Sequence, residues 1–149
     1  MSKYSEKYQR THDIDWFANI HGKLFHFASN GGELPDVICD DDNALIQRRV
    51  ESLNASNEVK ISEFISRQFQ NMNAEDRENY LRSFYEMASK GFISCDNISN
   101  DDFENSHYRI IASPSNINDS DLPYDLIPMI EDLAVFGFSE EDLSIIDEI

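Results

Sequence analysis

The chain is short of cations: 12 Lys and Arg stand against 29 Asp and Glu in 149 residues, a formal net charge of −17. Phosphate contacts need clustered Lys and Arg, so a pI near 4.3 argues against nucleic acid as a partner. The same sign argues against an anionic membrane surface. Long apolar runs are missing too. The longest, Leu133 to Phe138, has six residues with Gly137 inside it, whereas a membrane-spanning helix needs about 20. The first seven residues, Met1-Ser2-Lys3-Tyr4-Ser5-Glu6-Lys7, hold no apolar core of the kind a secretory signal requires. Cysteine is scarce: Cys39 and Cys95 are expected as reduced, buried thiols in a cytoplasmic protein. The five glycines form no phosphate-cradling loop.

Aromatics are plentiful, with 10 Phe, 6 Tyr and 1 Trp, and 40% of the residues are hydrophobic. That suffices for one packed core and excludes wholesale disorder. Trp16, Ala18 and Ile20 alternate with Asp15, Phe17 and Asn19; His21-Gly22 and Lys23-Leu24-Phe25-His26-Phe27 follow. This pattern predicts a β-hairpin, ended by Asn30-Gly31-Gly32. Asp41 or Asp42 is placed to cap a helix with Leu45/Ile46, Val50 and Leu53 inward. A second helix is predicted over 58–72 from Ile61, Phe64, Ile65, Phe69 and Met72. A third starts at Asn73, carries the stripe Tyr80, Leu81, Phe84, Met87 and Ala88, and ends at Lys90-Gly91. Two more strands are predicted, Phe92–Cys95 and His107–Ala112, joined by the polar link 96–106 and followed by a loop from Ser113. Ser139 and Asp142 resemble a capping box for a short last helix. With no internal repeat and no long linker, residues 1–149 read as a single α+β domain. Its small antiparallel sheet, the hairpin plus two later strands, packs with three to four helices.

Constellations that would carry chemistry are incomplete. Asp40, Asp42 and Glu51 fit positions 1, 3 and 12 of a calcium loop, but Ala44 and Leu45 stand where an oxygen ligand and glycine are needed. His12, Asp13, Asp15, His21 and His26 lie near the hairpin without a His-x-x-x-His or His-Glu-x-x-His spacing. His12 and Asp13 are expected to hydrogen-bond the chain ahead of the first strand. Cys39 and His107 belong to no nucleophile motif. The expectation is a protein that is no enzyme and binds no metal or cofactor.

The charge is uneven. Residues 1–90 hold 11 basic and 15 acidic side chains; residues 91–149 hold Arg109 alone against 14 acids. Concentrated self-repulsion destabilises a fold and calls for a compensating role. Here the acids interleave with Phe103, Tyr108, Tyr124, Ile127, Met129, Phe136 and Phe138, the make-up of an interface for a basic partner. The candidate contact residues are Asp96, Asp101, Asp102, Phe103, Glu104, Asp119, Asp121, Tyr124, Asp125, Glu131 and Asp132.

One stretch has a family likeness. Asp13-Ile14-Asp15-Trp16-Phe17, Asn19-Ile20-His21-Gly22, Ala28-Ser29-Asn30-Gly31-Gly32 and Leu34-Pro35-Asp36 together resemble the N-terminal part of bacterial immunity proteins. Those proteins belong to contact-dependent growth inhibition and related polymorphic toxin systems. The likeness covers about the first quarter of the chain. It implies a small non-enzymatic cytoplasmic protein, monomeric until it binds and neutralises one cognate toxin C-terminal domain. Such toxins are often nucleases, whose positive substrate sites an acidic inhibitor would occlude. The alternative from the same charge is a nucleic-acid mimic that inhibits a DNA- or RNA-acting enzyme.

Overall fold

Asp15–Ile20 (β1) and Lys23–Ala28 (β2) pair antiparallel across His21-Gly22. In this computed structural model both turn residues have positive φ, 52° and 83°, as a two-residue turn of primed type requires. The Asn19 carboxamide accepts the Gly22 N–H at 2.9 Å. The structure describes residues 3–99, 102–116, 125–136 and 145–146. Ahead of the hairpin lies a helix the sequence reading did not anticipate, Glu6–Thr11 (α1), capped by Ser5.

The helix expected after Asp40 is Asp40–Glu51 (α2). Its N-cap is Cys39, and Asp40, Asp41 and Asp42 fill the first turn, where the positive end of the dipole favours carboxylates. Ile46 and Val50 face inward, whereas Leu45 is exposed. The helix expected over 58–72 is shortened to six residues. Val59–Ile61 forms a strand (β3), and only Glu63–Gln68 is helical (α3). The β-branched pair Val59 and Ile61 finds Pro114 and Ala112 across the sheet, so tertiary pairing overrides the helical spacing. Ala74–Ser89 (α4) matches its prediction: Asn73 accepts the Asp76 N–H at 2.8 Å, and Gly91 leaves the helix at φ 112°.

Ile93–Asn97 (β4) and Tyr108–Pro114 (β5) pair antiparallel, each running past its expected end. The sheet order is β1-β2-β4-β5-β3, and Ile145–Ile146 (β6) adds parallel to β5. The fold is α+β, with four α-helices among the described residues. Its sheet is mixed rather than wholly antiparallel, because α2, β3, α3 and α4 intervene between β2 and β4 and return the chain in the same direction. The Ser139–Asp142 capping box lies outside the described residues.

Both faces of the sheet are covered. On one, Trp16, Phe25, Phe27, Cys95 and Tyr108 pack with Leu34, Ile38 and Leu133. On the other, Ile46 and Val50 of α2 meet Phe17, Leu24 and Phe92, while Ile65, Phe84 and Ala88 of α3 and α4 meet Ala28, Ile111 and Ala112. The hairpin strands are therefore apolar on both sides, apart from a polar stripe beneath α4. Among the described residues no helix is long and apolar enough to cross a membrane.

Candidate functional site

The stripe beneath α4 centres on His26 of the hairpin. His26, on β2 and fully buried, has one ring nitrogen 2.8 Å from Asp15 Oδ1 and the other 2.7 Å from Ser94 Oγ. A Ser–His–Asp sequence of contacts invites comparison with a nucleophilic triad. Here Ser94 is also fully buried, and no substrate reaches its hydroxyl. The stripe pairs polar groups inside the fold, as buried polar groups require. Beside it, Asp96 on β4 accepts the Tyr80 hydroxyl at 2.7 Å. Burial holds the Asp96 carboxyl above its ordinary value, with the nearby Asp13 charge adding in the same direction. Burial, and then the Asp96 charge, hold the Tyr80 phenol well above its own.

The other sequence candidates for chemistry resolve into structural roles. Asp13 Oδ1 accepts the Asn30 N–H at 2.9 Å, and His12 stacks on Tyr8 at 3.8 Å between ring centroids. Cys39 sits half-buried at the start of α2; exposed His107 bonds through its backbone to Asn97 and Ile98. Among the described residues no group of three or more His, Cys, Asp or Glu side chains could hold a metal ion.

The expected contact residues divide sharply. Asp96 turns inward, as above. Phe103 is 7% exposed: the Arg10 guanidinium lies 4.2 Å from its ring centroid, and its carbonyl accepts the Glu33 N–H. Phe103 is thus buried in the fold and Asp96 half-buried against α4, where the sequence reading placed both on a contact surface. Asp102 and Glu104 flank Phe103 and are exposed. Asp102 accepts both bonds from the Asn105 carboxamide and lines an open polar pocket of about 260 Å³ with Arg10, Asn30 and Gly31. Asp125 is exposed but bonded to Arg49 at 2.8 Å, which holds its carboxyl below the ordinary value. Glu131 is half-buried and Asp132 exposed, both beside β1. Asp101, Asp119, Asp121 and Tyr124 lie outside the described residues.

Arg109, the one base of residues 91–149, is half-buried with its guanidinium 3.8 Å from the Phe64 ring centroid. Val135 and Phe136 are 75% and 53% exposed; Phe136 is one of the aromatics that the sequence interleaves with acids.

Fold and surface together define a small α+β domain with its apolar groups in two layers and a carboxylate-rich outside. Set against family models, curated proteins and solved structures, the chain matches none.

Proposed function

We propose that this protein is an immunity protein: it binds a basic toxin domain in the cytoplasm and occludes that domain's active site or substrate surface, doing no chemistry itself. The observation that carries the reading is the lopsided charge, 14 acids against one base in residues 91–149. Of these acids, Asp102, Glu104 and Asp132 reach solvent without an ion pair among the described residues. A nuclease presents a positive surface to its phosphate substrate, so a carboxylate surface competes for the same groups and steers its own association. The likeness of residues 13–36 to immunity proteins supports the reading from a separate direction.

The test pairs the chain with the toxin C-terminal domain encoded by the neighbouring upstream reading frame. Co-expression should protect cells, and the two should co-purify with an on-rate that falls steeply with salt. Charge reversal at Asp102, Glu104 and Asp132 should weaken the complex more than reversal of Glu75, Glu78 and Glu86 on α4. No complex at low salt and no protection would refute the proposal. Inhibition of an unrelated DNA- or RNA-acting enzyme in the same assay would favour nucleic-acid mimicry.

A further inference from the structure

The exposed pair Val135-Phe136 ends a one-turn 3-10 helix, Leu133–Phe136, that is pinned to the edge of the sheet. Leu133 is fully buried with Trp16 and Phe27 in the core. The Asn19 N–H of β1 donates to the Glu131 carbonyl at 2.9 Å, and Asp132 pairs with Asn19 as a single parallel bridge. Asp132 Oδ1 also accepts the Ala134 N–H at 3.1 Å. The turn is thus tied to β1 at three successive residues, 131 to 133. Its last two side chains stand in water, where they lose the transfer free energy that burial would return. Single exposed apolar residues are ordinary. An adjacent pair on a tethered mount, next to Glu131 and Asp132, has the make-up of an interface anchor: an apolar centre with a charged rim.

We infer that Val135 and Phe136 are the apolar anchor by which the protein docks on its partner, a cationic protein surface that carries an apolar cleft. The inference rests on the proposed binding of a basic toxin domain and assigns the place of contact. Charge decides between occupants. A second copy would set −17 against −17, with Glu131 and Asp132 meeting their own equivalents across a two-fold axis. An anionic lipid surface is repelled by the same carboxylates. A cationic protein brings Lys and Arg to the rim while its cleft takes the Phe136 ring. Residues 131 to 133 already tie the mount to β1, which reduces the conformational entropy lost on binding.

The experiment uses the full chain and the toxin C-terminal domain from the upstream reading frame. Val135→Ser with Phe136→Ser should leave the melting temperature near that of wild type, since both side chains are exposed, and weaken binding by roughly 30-fold or more through the off-rate. Glu131→Gln with Asp132→Asn should instead slow the on-rate and flatten its salt dependence. In the wild-type complex, hydrogen exchange of the amides of residues 133–136 should slow, with those of α4 unchanged. If wild type binds and the serine variant binds within about twofold, or if those amides keep their exchange rate, the anchor lies elsewhere. If wild type itself fails to bind, the immunity reading falls and the inference falls with it. Sedimentation showing a wild-type dimer that the serine variant dissolves would reassign the pair to self-association and overturn the proposal.

Discussion

A single methyl group added at Gly32 should destabilise the fold by about 3–5 kcal/mol. A Cβ there would stand 2.3 Å from Asn97 Nδ2, 2.5 Å from Ser106 Oγ and 3.1 Å from the Ser29 carbonyl. Asn97 cannot simply step aside. It is 1% exposed, and its Nδ2 donates to the Ser29 carbonyl at 2.9 Å and to Ser106 Oγ at 3.2 Å. Its Oδ1 accepts from the backbone N–H groups of Ser99 and His107. Displacing the carboxamide breaks the two donor bonds of a buried group, at about 1–3 kcal/mol for each group left unpaired, and overpacking costs about 1–3 kcal/mol more. Relaxation recovers part of that sum. At roughly 2–4 °C per kcal/mol for a chain of this size, Gly32→Ala should melt about 10–15 °C below wild type. Thermal and urea denaturation measure it directly. Gly22→Ala is the control: nothing lies within 4 Å of its Cβ, and only the positive φ of 83° is at stake, worth about 1–2 kcal/mol. A Gly32→Ala melting temperature within about 3 °C of wild type, or a larger loss at Gly22, would refute the role given to Asn97.

Two further outcomes follow from the polar stripe. Burial raises the Asp96 carboxyl above its ordinary value of 3.8, so the folded chain holds that proton more tightly than the unfolded chain. The difference vanishes in acid below the unfolded value and becomes a penalty as pH rises through the folded one. Asp96→Asn, whose carboxamide oxygen still accepts from Tyr80, should therefore gain stability relative to wild type as pH is raised from acid to neutral; a constant difference across melting curves would contradict this. His26→Ala opens a cavity and leaves the Ser94 hydroxyl without its ring partner, costing about 3 kcal/mol. Asp15→Asn should cost less, because the Asp15 side chain is 47% exposed, and urea midpoints for the two variants check the order.

Local signals were legible where they agree with the tertiary structure. Asn73 and Gly91 bracket α4 because cap and C-terminal glycine act within one turn of the chain. His21-Gly22 marks the hairpin because positive φ at both positions favours those residues in a two-residue turn. The segment 58–72 was not legible: Val59 and Ile61 become a strand only because Ala112 and Pro114 present an open ladder, and the spacing of Phe64, Ile65 and Phe69 says nothing of it. Asp96 misled for a related reason. Polar Asp96-Asn97 read as the start of a loop, yet they pair with Arg109 and Tyr108, and strand alternation then turns Asp96 under α4 beside Ser94. Composition likewise could not say which aromatic in an acidic segment is core; Phe103 is covered by Arg10, far away in sequence. Asp13, Asn19 and Gly32, in the stretch expected to resemble immunity proteins, hold turns and their neighbours, so the site must be argued from charge and exposure.

The parallel seam between β2 and β4 also governs how the chain reaches its fold. The β1–β2 hairpin closes over two residues, and β4–β5 closes over the link between Asn97 and Tyr108. The seam joins Phe25 to Ile93, 68 positions apart. Its loop entropy must be met before any of its contacts form. Until the seam closes, β2 and β4 each have a strand edge unpaired, and an unpaired edge is a template for pairing with another copy. The net charge of −17 then works before any partner is met, as repulsion that keeps unfinished chains apart.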